Sequence, residues 1–371
     1  MIEKIKELVN SKFFLKELEI SGNVVVEEIR KGKVNHIFKL IDAEKNISYI
    51  LKKSDIHLAG LNSPAVANFN ISVLRNYTEA KVLQYITDNI SHEYVPKVLM
   101  TNKEEAYFVM EFLNDYRDVR DIFLSMNIPN NFAEDISDIL SKIYINTADI
   151  TEEILGVDNR CMVDILLMLL TKAPYEINIV EGNKSLVDVK FFTNNITDPM
   201  LLANVMQLSY KLKNCKQALL NGDLHLGSIF YNESCYKIYD FEFAFKGPIG
   251  YEIGKIIAHL ILAYYYALSK ANSMVAKNIL QEIADFYDKF FKKLEKDETF
   301  FNPSIKEDTV KFCGLELISR VTGILQLKYI NNISNTDIKD KTQKKIFEIG
   351  TEMVKGQFKI ITGKEFIDHV R

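Results

Sequence analysis

Residues 221–248 read NGDLHLGSIFYNESCYKIYDFEFAFKGP. "SIFYN" and "CYKIYD" alternate about the polar turn "NES", which predicts a hairpin. Asp223 then lies in the loop before the first strand and Asp240 at the end of the second. In extended backbone, side chains two apart leave the same face, so Asp240 and Glu242 are expected side by side. Two carboxylates on one face repel unless a cation sits between them. A hard divalent ion with oxygen ligands, Mg²⁺ above all, suits that arrangement. Asp223 stands off the metal, placed to orient a hydroxyl, and a base beside a metal-held polyphosphate is the layout of phosphoryl transfer. A single Gly-Asp-Leu-His turn, or a lone Asp-x-Glu at a strand end, is commonplace as plain structure. It is their pairing across one hairpin that favours chemistry. For His225 the better reading is packing and hydrogen bonding within the loop, without proton transfer.

The chain has 371 residues, 47% hydrophobic and 26% charged, with a net charge of -4. This is the balance of a soluble protein with a real core. It argues against nucleic-acid binding, which needs a clustered positive surface. The basic runs "KFFKKLEKDE" and "IKDKTQKK" are interleaved with acids and read as solvated helix faces. Cys161, Cys215, Cys235 and Cys313 show no C-x-x-C spacing, so reduced thiols in a cytoplasmic protein are expected. The N-terminal "MIEKIKELVNSKFFLKEL" is an amphipathic helix without an apolar signal core. The most apolar run, "IIAHLILAYYYAL", is shorter than the ~20 residues a membrane span requires, so a buried helix is expected and no membrane partner.

Outward from the hairpin, two regions differ in character. Residues 1–113 predict a small antiparallel sheet with one helix. The strands come from "NVVVEEIRKGKVNHIFKLIDAEKNISYILKKS" and "YVPKVLMTNKEEAYFVMEFL", and the helix from "SVLRNYTEAKVLQYITDN". Residues 114–371 predict helices on both sides of the hairpin. The fold class is α+β, with a β-rich nucleotide-binding lobe at 1–113, a helical catalytic and substrate-binding lobe at 114–371, a short hinge near "MEFLND" and a cleft between the lobes.

Phosphoryl transfer also needs a cation for the nucleotide phosphates. Lys52 lies on a predicted strand and Glu79 on the following helix, so the pair can present one positive charge. Lys53 competes with Lys52, and alternation alone leaves both open. The loop "RKGKVN", with Gly32, is the phosphate-loop candidate.

"NGDLHLGSIF…DFEFAFKGPIGYEIG" resembles the 5-methylthioribose kinase family, a branch of the aminoglycoside phosphotransferase and choline kinase group. Its members carry G-D-L-H-T-G-S-I and D-P-E-F-A-F-x-G-P-x-G-F-D-I-G. "VEEIRKGKVNHIFKL", "YILKKS", "VLRNYTEAKVL", "FVMEFL" and "CGLELISRVTG" resemble further segments of that family. The resemblance implies a protein-kinase-like bilobal fold and ATP-dependent phosphorylation of the anomeric hydroxyl of 5-methylthioribose, in methionine salvage. It implies Asp223 as catalytic base and Asp240 and Glu242 as Mg²⁺ ligands. Lys52 would meet the nucleotide phosphates with Glu79 holding it, Met110, Glu111, Phe112 and Leu113 would line the adenine pocket, and Arg320 would bind the sugar. Ser228 stands where the wider group has an asparagine metal ligand. The resemblance also implies a homodimer.

Departures bear on the acceptor. The family's late arginine pair reads Ser319-Arg320, its loop histidine is Asn221, and Glu252 replaces an aspartate. Losing an arginine removes planar, multi-donor contacts to sugar hydroxyls. Two further readings therefore stand beside the first. One is the same transfer to another sugar, an amino alcohol or an aminoglycoside, with "DFYDKFFKKLEKDETFF" supplying acids and aromatics for a cationic acceptor. The other is a nucleotide-binding pseudokinase without catalysis, which the joint presence of Asp223, Asp240 and Glu242 disfavours.

Overall fold

The computed structural model describes residues 2–31, 35–54, 71–297, 300–324 and 328–371. Gly32 and its loop lie outside the described residues. The chain forms two compact units: Met1–Tyr116 with Thr151–Met162 and Lys237–Ala244, and Arg117–Ile150 with Val163–Tyr236 and Phe245–Arg371.

The first unit opens with α1 (Ile2–Val9) and α2 (Lys12–Glu17). They replace the single expected N-terminal helix because the Ser11 hydroxyl accepts the Phe14 N–H at 3.3 Å and starts a new helix there. Strands β1 (Val24–Lys31), β2 (Asn35–Asp42) and β3 (Ile47–Ser54) follow, then α3 (Arg75–Asn89), β4 (Val98–Asn102) and β5 (Tyr107–Glu111). The sheet order is β1-β2-β3-β5-β4 with antiparallel pairing throughout. One face packs Val24, Val26, Phe38, Leu40 and Leu51 against Ile5, Val9 and Phe14 of α1 and α2. Lys52, next to Leu51, points the other way, toward α3, because successive strand residues face opposite sides. Arg75, Asn76, Thr78 and Glu79 of α3 are fully buried. That polar buried face blurs the apolar periodicity a core helix normally shows.

The second unit begins with β6 (Arg117–Asp118), α4 (Val119–Leu124) and α5 (Phe132–Asn146). Next come α6 (Arg160–Leu167), α7 (Ile177–Glu181), α8 (Val189–Asn195) and α9 (Pro199–Asn214). Four short strands follow, β7 (Ala218–Leu220), β8 (Ile229–Asn232), β9 (Cys235–Ile238) and β10 (Phe245–Gly247). The remainder is helical: α10 (Ile249–Ser269), α11 (Ser273–Leu294), α12 (Ser304–Thr322), α13 (Lys328–Asn331), α14 (Thr336–Val354) and α15 (Gly363–Val370). The chain passes between units within α6 and within β9. β8 pairs with β6 and β9, and β7 with β10. The expected hairpin is present, but its second strand stops at Ile238.

The centre of this unit is α10, buried from Ile249 to Ala267 and packed on α11 and α12. No helix among the described residues is long and apolar enough to cross a membrane. Contact between α10 and α12 depends on glycine. A Cβ at Gly254 would lie 2.5 Å from the Thr309 carbonyl oxygen and 2.6 Å from the Cys313 amide nitrogen. Alanine would normally stabilise a helix by about 1 kcal/mol over glycine. Here the backbone of α12 has to move, and overpacking costs about 1–3 kcal/mol. Gly254→Ala is therefore expected to lower the urea midpoint; a raised midpoint would contradict the packing described.

Candidate active site

The segment after β9 carries the first group of charges. Asp240 has left-handed backbone (φ 68) and Phe241–Phe243 forms one 3-10 turn. This corrects the expectation of extended backbone from Asp240 to Glu242: alternation does not bring these two carboxylates together, the turn does. Aspartate tolerates the left-handed region better than most residues, and such strain persists where its surroundings over-determine it. Here the Asp240 N–H donates to Glu79 Oε1 at 3.2 Å, and Lys52 Nζ donates to Asp240 Oδ1 at 2.5 Å and to Glu79 Oε2 at 2.6 Å. Glu242 Oε2 accepts from Asn35 Nδ2 at 2.8 Å and Arg75 Nε at 3.0 Å. The Asn159 amide donates to the Glu242 and Ala244 carbonyls at 3.2 and 2.8 Å. All of these residues belong to the first unit.

Three carboxylates, Glu79, Asp240 and Glu242, thus meet one lysine and one arginine. Burial alone would lower the Lys52 ammonium, but Asp240, Glu79 and Glu242 outweigh it and hold it far above its ordinary range. Burial pushes Glu79 up, reinforced by Asp240 and Glu242 against the pull of Lys52. Burial likewise raises Glu242, with Asp240 adding and Lys52 and Arg75 opposing. Such a cluster has capacity for further positive charge. Lys53, the competing lysine, lies on the other face of β3, bonded to the Glu105 carbonyl at 2.6 Å and lying over the Tyr107 ring.

The residues expected to line an adenine pocket lie at and just after the end of β5. Met110 is buried, and Glu111 accepts from the Lys97 N–H at 3.0 Å and lies 3.1 Å from Lys237 Nζ. The Phe112 ring sits under Lys39 Nζ at 4.4 Å. The Leu113 carbonyl accepts the Tyr116 N–H at 3.4 Å.

Asp223 lies in the second unit, in a loop organised by α10. Gly222 has φ +87, a conformation that favours glycine. Positions 252, 255 and 259 fall on one stripe of α10, and each meets the loop in turn. Glu252 accepts the N–H groups of Asn221 and Gly222 at 3.1 and 2.8 Å, and the Tyr144 hydroxyl at 2.8 Å. Lys255 donates to Asp223 Oδ1. The His259 ring stacks on His225 at 5.4 Å. The Tyr251 hydroxyl adds a bond to the Gly222 carbonyl at 2.7 Å. From α12, Glu316 holds Arg320 at 2.6 Å and His259 Nε2 at 3.2 Å.

Burial would raise Asp223, but Lys255, His225 and Arg320 hold it below its ordinary value. Burial, aided by Lys255, Arg320 and Arg120, lowers His225 despite Asp223. Burial lowers His259 to about 3. Both imidazoles are therefore neutral at pH 7. His225 bonds Ser228 Oγ at 3.0 Å and Ser228 reaches the Asp223 carbonyl at 3.3 Å, so both brace the loop. Ser319 Oγ is committed to the Leu169 carbonyl at 3.2 Å.

Reading of the sequence missed Glu252, Lys255 and His259 as members of this network, and likewise Arg75 and Asn35. The signal existed: three ionisable residues at i, i+3 and i+7 inside an otherwise apolar helix. Charged residues are almost never fully buried unless paired.

No family model matches the chain. Methylthioribose kinase from Bacillus cereus (strain AH187) is 28% identical over 362 residues, covering 92% of this chain and 89% of that protein. Methylthioribose kinase from Bacillus mycoides (strain KBAB4) is also 28% identical, covering 92% and 90%. The chain is a sequence relative of the methylthioribose kinases. In structure it resembles choline kinase from Cryptosporidium parvum Iowa II, with TM-score 0.56 and 12% identity over 95% of this chain and 96% of that one. It also resembles a Plasmodium vivax ethanolamine kinase, with TM-score 0.51 and 15% identity over 94% and 88%. The fold is kinase-like α+β.

Burial pushes Glu252 up to about 7 against its four hydrogen-bonding and charged partners. The folded protein then keeps a proton that the unfolded chain releases near ~4.3. More protons are bound folded than unfolded, so stability falls as pH rises between those values. Glu252→Gln removes this slope and places an amide NH₂ against backbone N–H donors. A loss of about 2 kcal/mol is expected in urea unfolding at pH 8, with a flatter pH dependence below 7. A wild-type midpoint and slope would contradict the assignment.

Proposed function

We propose that the protein is an ATP- and Mg²⁺-dependent small-molecule kinase that phosphorylates the anomeric hydroxyl of 5-methylthioribose. The observation that carries this reading is the Lys52–Glu79–Asp240 cluster with Glu242 beside it, in a relative of the methylthioribose kinases.

The donor set suits the metal. No group of three His, Cys, Asp or Glu side chains forms a metal cage among the described residues. Magnesium does not need one: it is typically bound through one or two carboxylates, with substrate phosphates and waters completing the shell. Asp240 and Glu242 would be those carboxylates. Bound there with ATP, the ion would neutralise charge on the β- and γ-phosphates. Lys52, anchored by Glu79, is positioned to exchange Asp240 for phosphate oxygens. Main-chain groups of Met110–Leu113 are the proposed contact for adenine.

Asp223 is the proposed base. As the acceptor oxygen bonds the γ-phosphorus and the bond to the ADP oxygen breaks, the hydroxyl proton passes to Asp223. A carboxylate held below its ordinary pKa is a poor base for the free alcohol. It suits a loose transition state, in which it orients the hydroxyl and takes the proton late. Arg320 is the proposed donor to the sugar hydroxyls.

The sugar is preferred over cationic acceptors for a reason within the second unit. Its acids are already matched, Asp223 by Lys255 and Glu316 by Arg320. Phe286, Tyr287, Phe290 and Phe291, in the stretch considered for a cationic acceptor, are core residues.

An ADP-release assay with methylthioribose, ribose, choline and kanamycin tests the acceptor. Methylthioribose is expected to give the highest kcat/KM, and its failure as a substrate would overturn the reading. Asp223→Asn should lose at least ~10³-fold in kcat, with nucleotide affinity within about threefold. Near wild-type turnover would remove Asp223 from the chemistry. Asp240→Asn is expected to abolish the Mg²⁺ dependence of nucleotide affinity, and calorimetric titration with and without the ion measures it.

A further inference from the structure

Lys255 is the buried ionisable group nearest the proposed base. Its side chain is 2% exposed and sits on the second turn of α10. The ammonium donates to Asp223 Oδ1 and lies 3.4 Å from the Tyr251 hydroxyl. Asp223 keeps 31% exposure, and its Oδ2 lies 4.0 Å from His225 Nε2. One carboxylate oxygen is thus fixed by α10, while the side chain as a whole keeps partial exposure. Burying an ammonium is costly without a partner, and a lysine that only filled space would be better replaced by an apolar residue.

We propose that Lys255 is a positioning residue for phosphoryl transfer, orienting Asp223 through Oδ1 and filling the place beside the base with positive charge, so that the acceptor is a neutral or anionic hydroxyl compound and never a cationic amino alcohol. The inference rests on the phosphotransferase reading above. The groups facing Asp223 are His225 of its own loop, Lys255 and Tyr251 of α10, and Arg320 of α12; Glu316 of α12 faces Lys255, and Arg120 of α4 faces His225. Among them Lys255 is the group in direct contact with Oδ1.

The sign of the pH effect follows. Asp223 is depressed by its cationic neighbours, so its ionised form persists to acid pH and is lost only as pH falls through that lowered value. Removing the ammonium leaves a carboxylate raised by burial, and the acid limb moves to higher pH.

Three measurements test this on the full-length protein. In Lys255→Met, kcat for the best acceptor should fall 10–100-fold with KM within about threefold, and the acid limb of kcat/KM should rise by at least one pH unit. Lys255→Arg should recover most of the rate. In the Asp223→Asn background, Lys255→Met should add less than twofold, because its effect acts through Asp223. An unchanged pH profile in Lys255→Met, or equal effects in both backgrounds, would overturn the proposal. The second measurement needs no substrate: ¹³C NMR titration of the aspartate carboxyls should place Asp223 higher in Lys255→Met than in wild type, and identical titrations would overturn it. If no sugar is phosphorylated, the kinase reading fails while this titration still reports on the pair. The third uses ethanolamine and choline as acceptors: kcat/KM values below 1% of that for the best neutral sugar are expected, and comparable values would overturn the charge argument.

Discussion

The interaction on which the rest depends is the grip of α10 on residues 221–225. A loop carboxylate proposed as a base is useful only if its position and charge are fixed before substrate arrives. Loops lack the repeating hydrogen bonds that fix helices and strands, so the loop borrows them from a rigid neighbour. Glu252 takes two consecutive N–H groups, Tyr251 takes a carbonyl, Lys255 takes the carboxylate, and His259 stacks on the histidine. These contacts succeed one another at helical spacing along a helix that is otherwise core. Close packing of α10 on α12 through Gly250 and Gly254 brings Glu316 and Arg320 into the same network.

The first unit solves a different electrostatic problem. Its cluster has more carboxylates than cations and draws them from distant parts of the chain: β3, α3 and the turn after β9. A site of that kind gives up little when further positive charge arrives. The second unit pairs Asp223 with Lys255 and Glu316 with Arg320, and burial keeps His225 and His259 neutral. The proposed function assigns the first centre to the metal and nucleotide and the second to the acceptor hydroxyl.

Much of this was legible in the sequence, and particular residues explain why. The antiparallel strands of the first unit follow from period-two patterns, and α3 from apolar residues at helical spacing that its buried polar face only partly masks. Asp223, Asp240 and Glu242 stand out because acids flank a short apolar hairpin. The route by which Asp240 and Glu242 meet was not legible, since left-handed backbone at an aspartate leaves no compositional trace. Lys52 and Lys53 could not be told apart until the strand's facing was known. Sequence adjacency also hides that Thr151–Met162 and Lys237–Ala244 complete the first unit. Lys255 escaped notice because one lysine in a long apolar run resembles a helix end or a surface position. Only its partner, thirty-two residues earlier in the chain, reveals its role.

The most direct measurement of the central claim is isotopic. ATP carrying ¹⁸O at the three non-bridging γ-oxygens is incubated with the protein, Mg²⁺ and methylthioribose, and the products are read by mass spectrometry. Transfer by attack of the acceptor hydroxyl on the γ-phosphorus predicts a sugar phosphate bearing all three labels and unlabelled ADP. Labelled inorganic phosphate without sugar phosphate, or release of AMP, would contradict it.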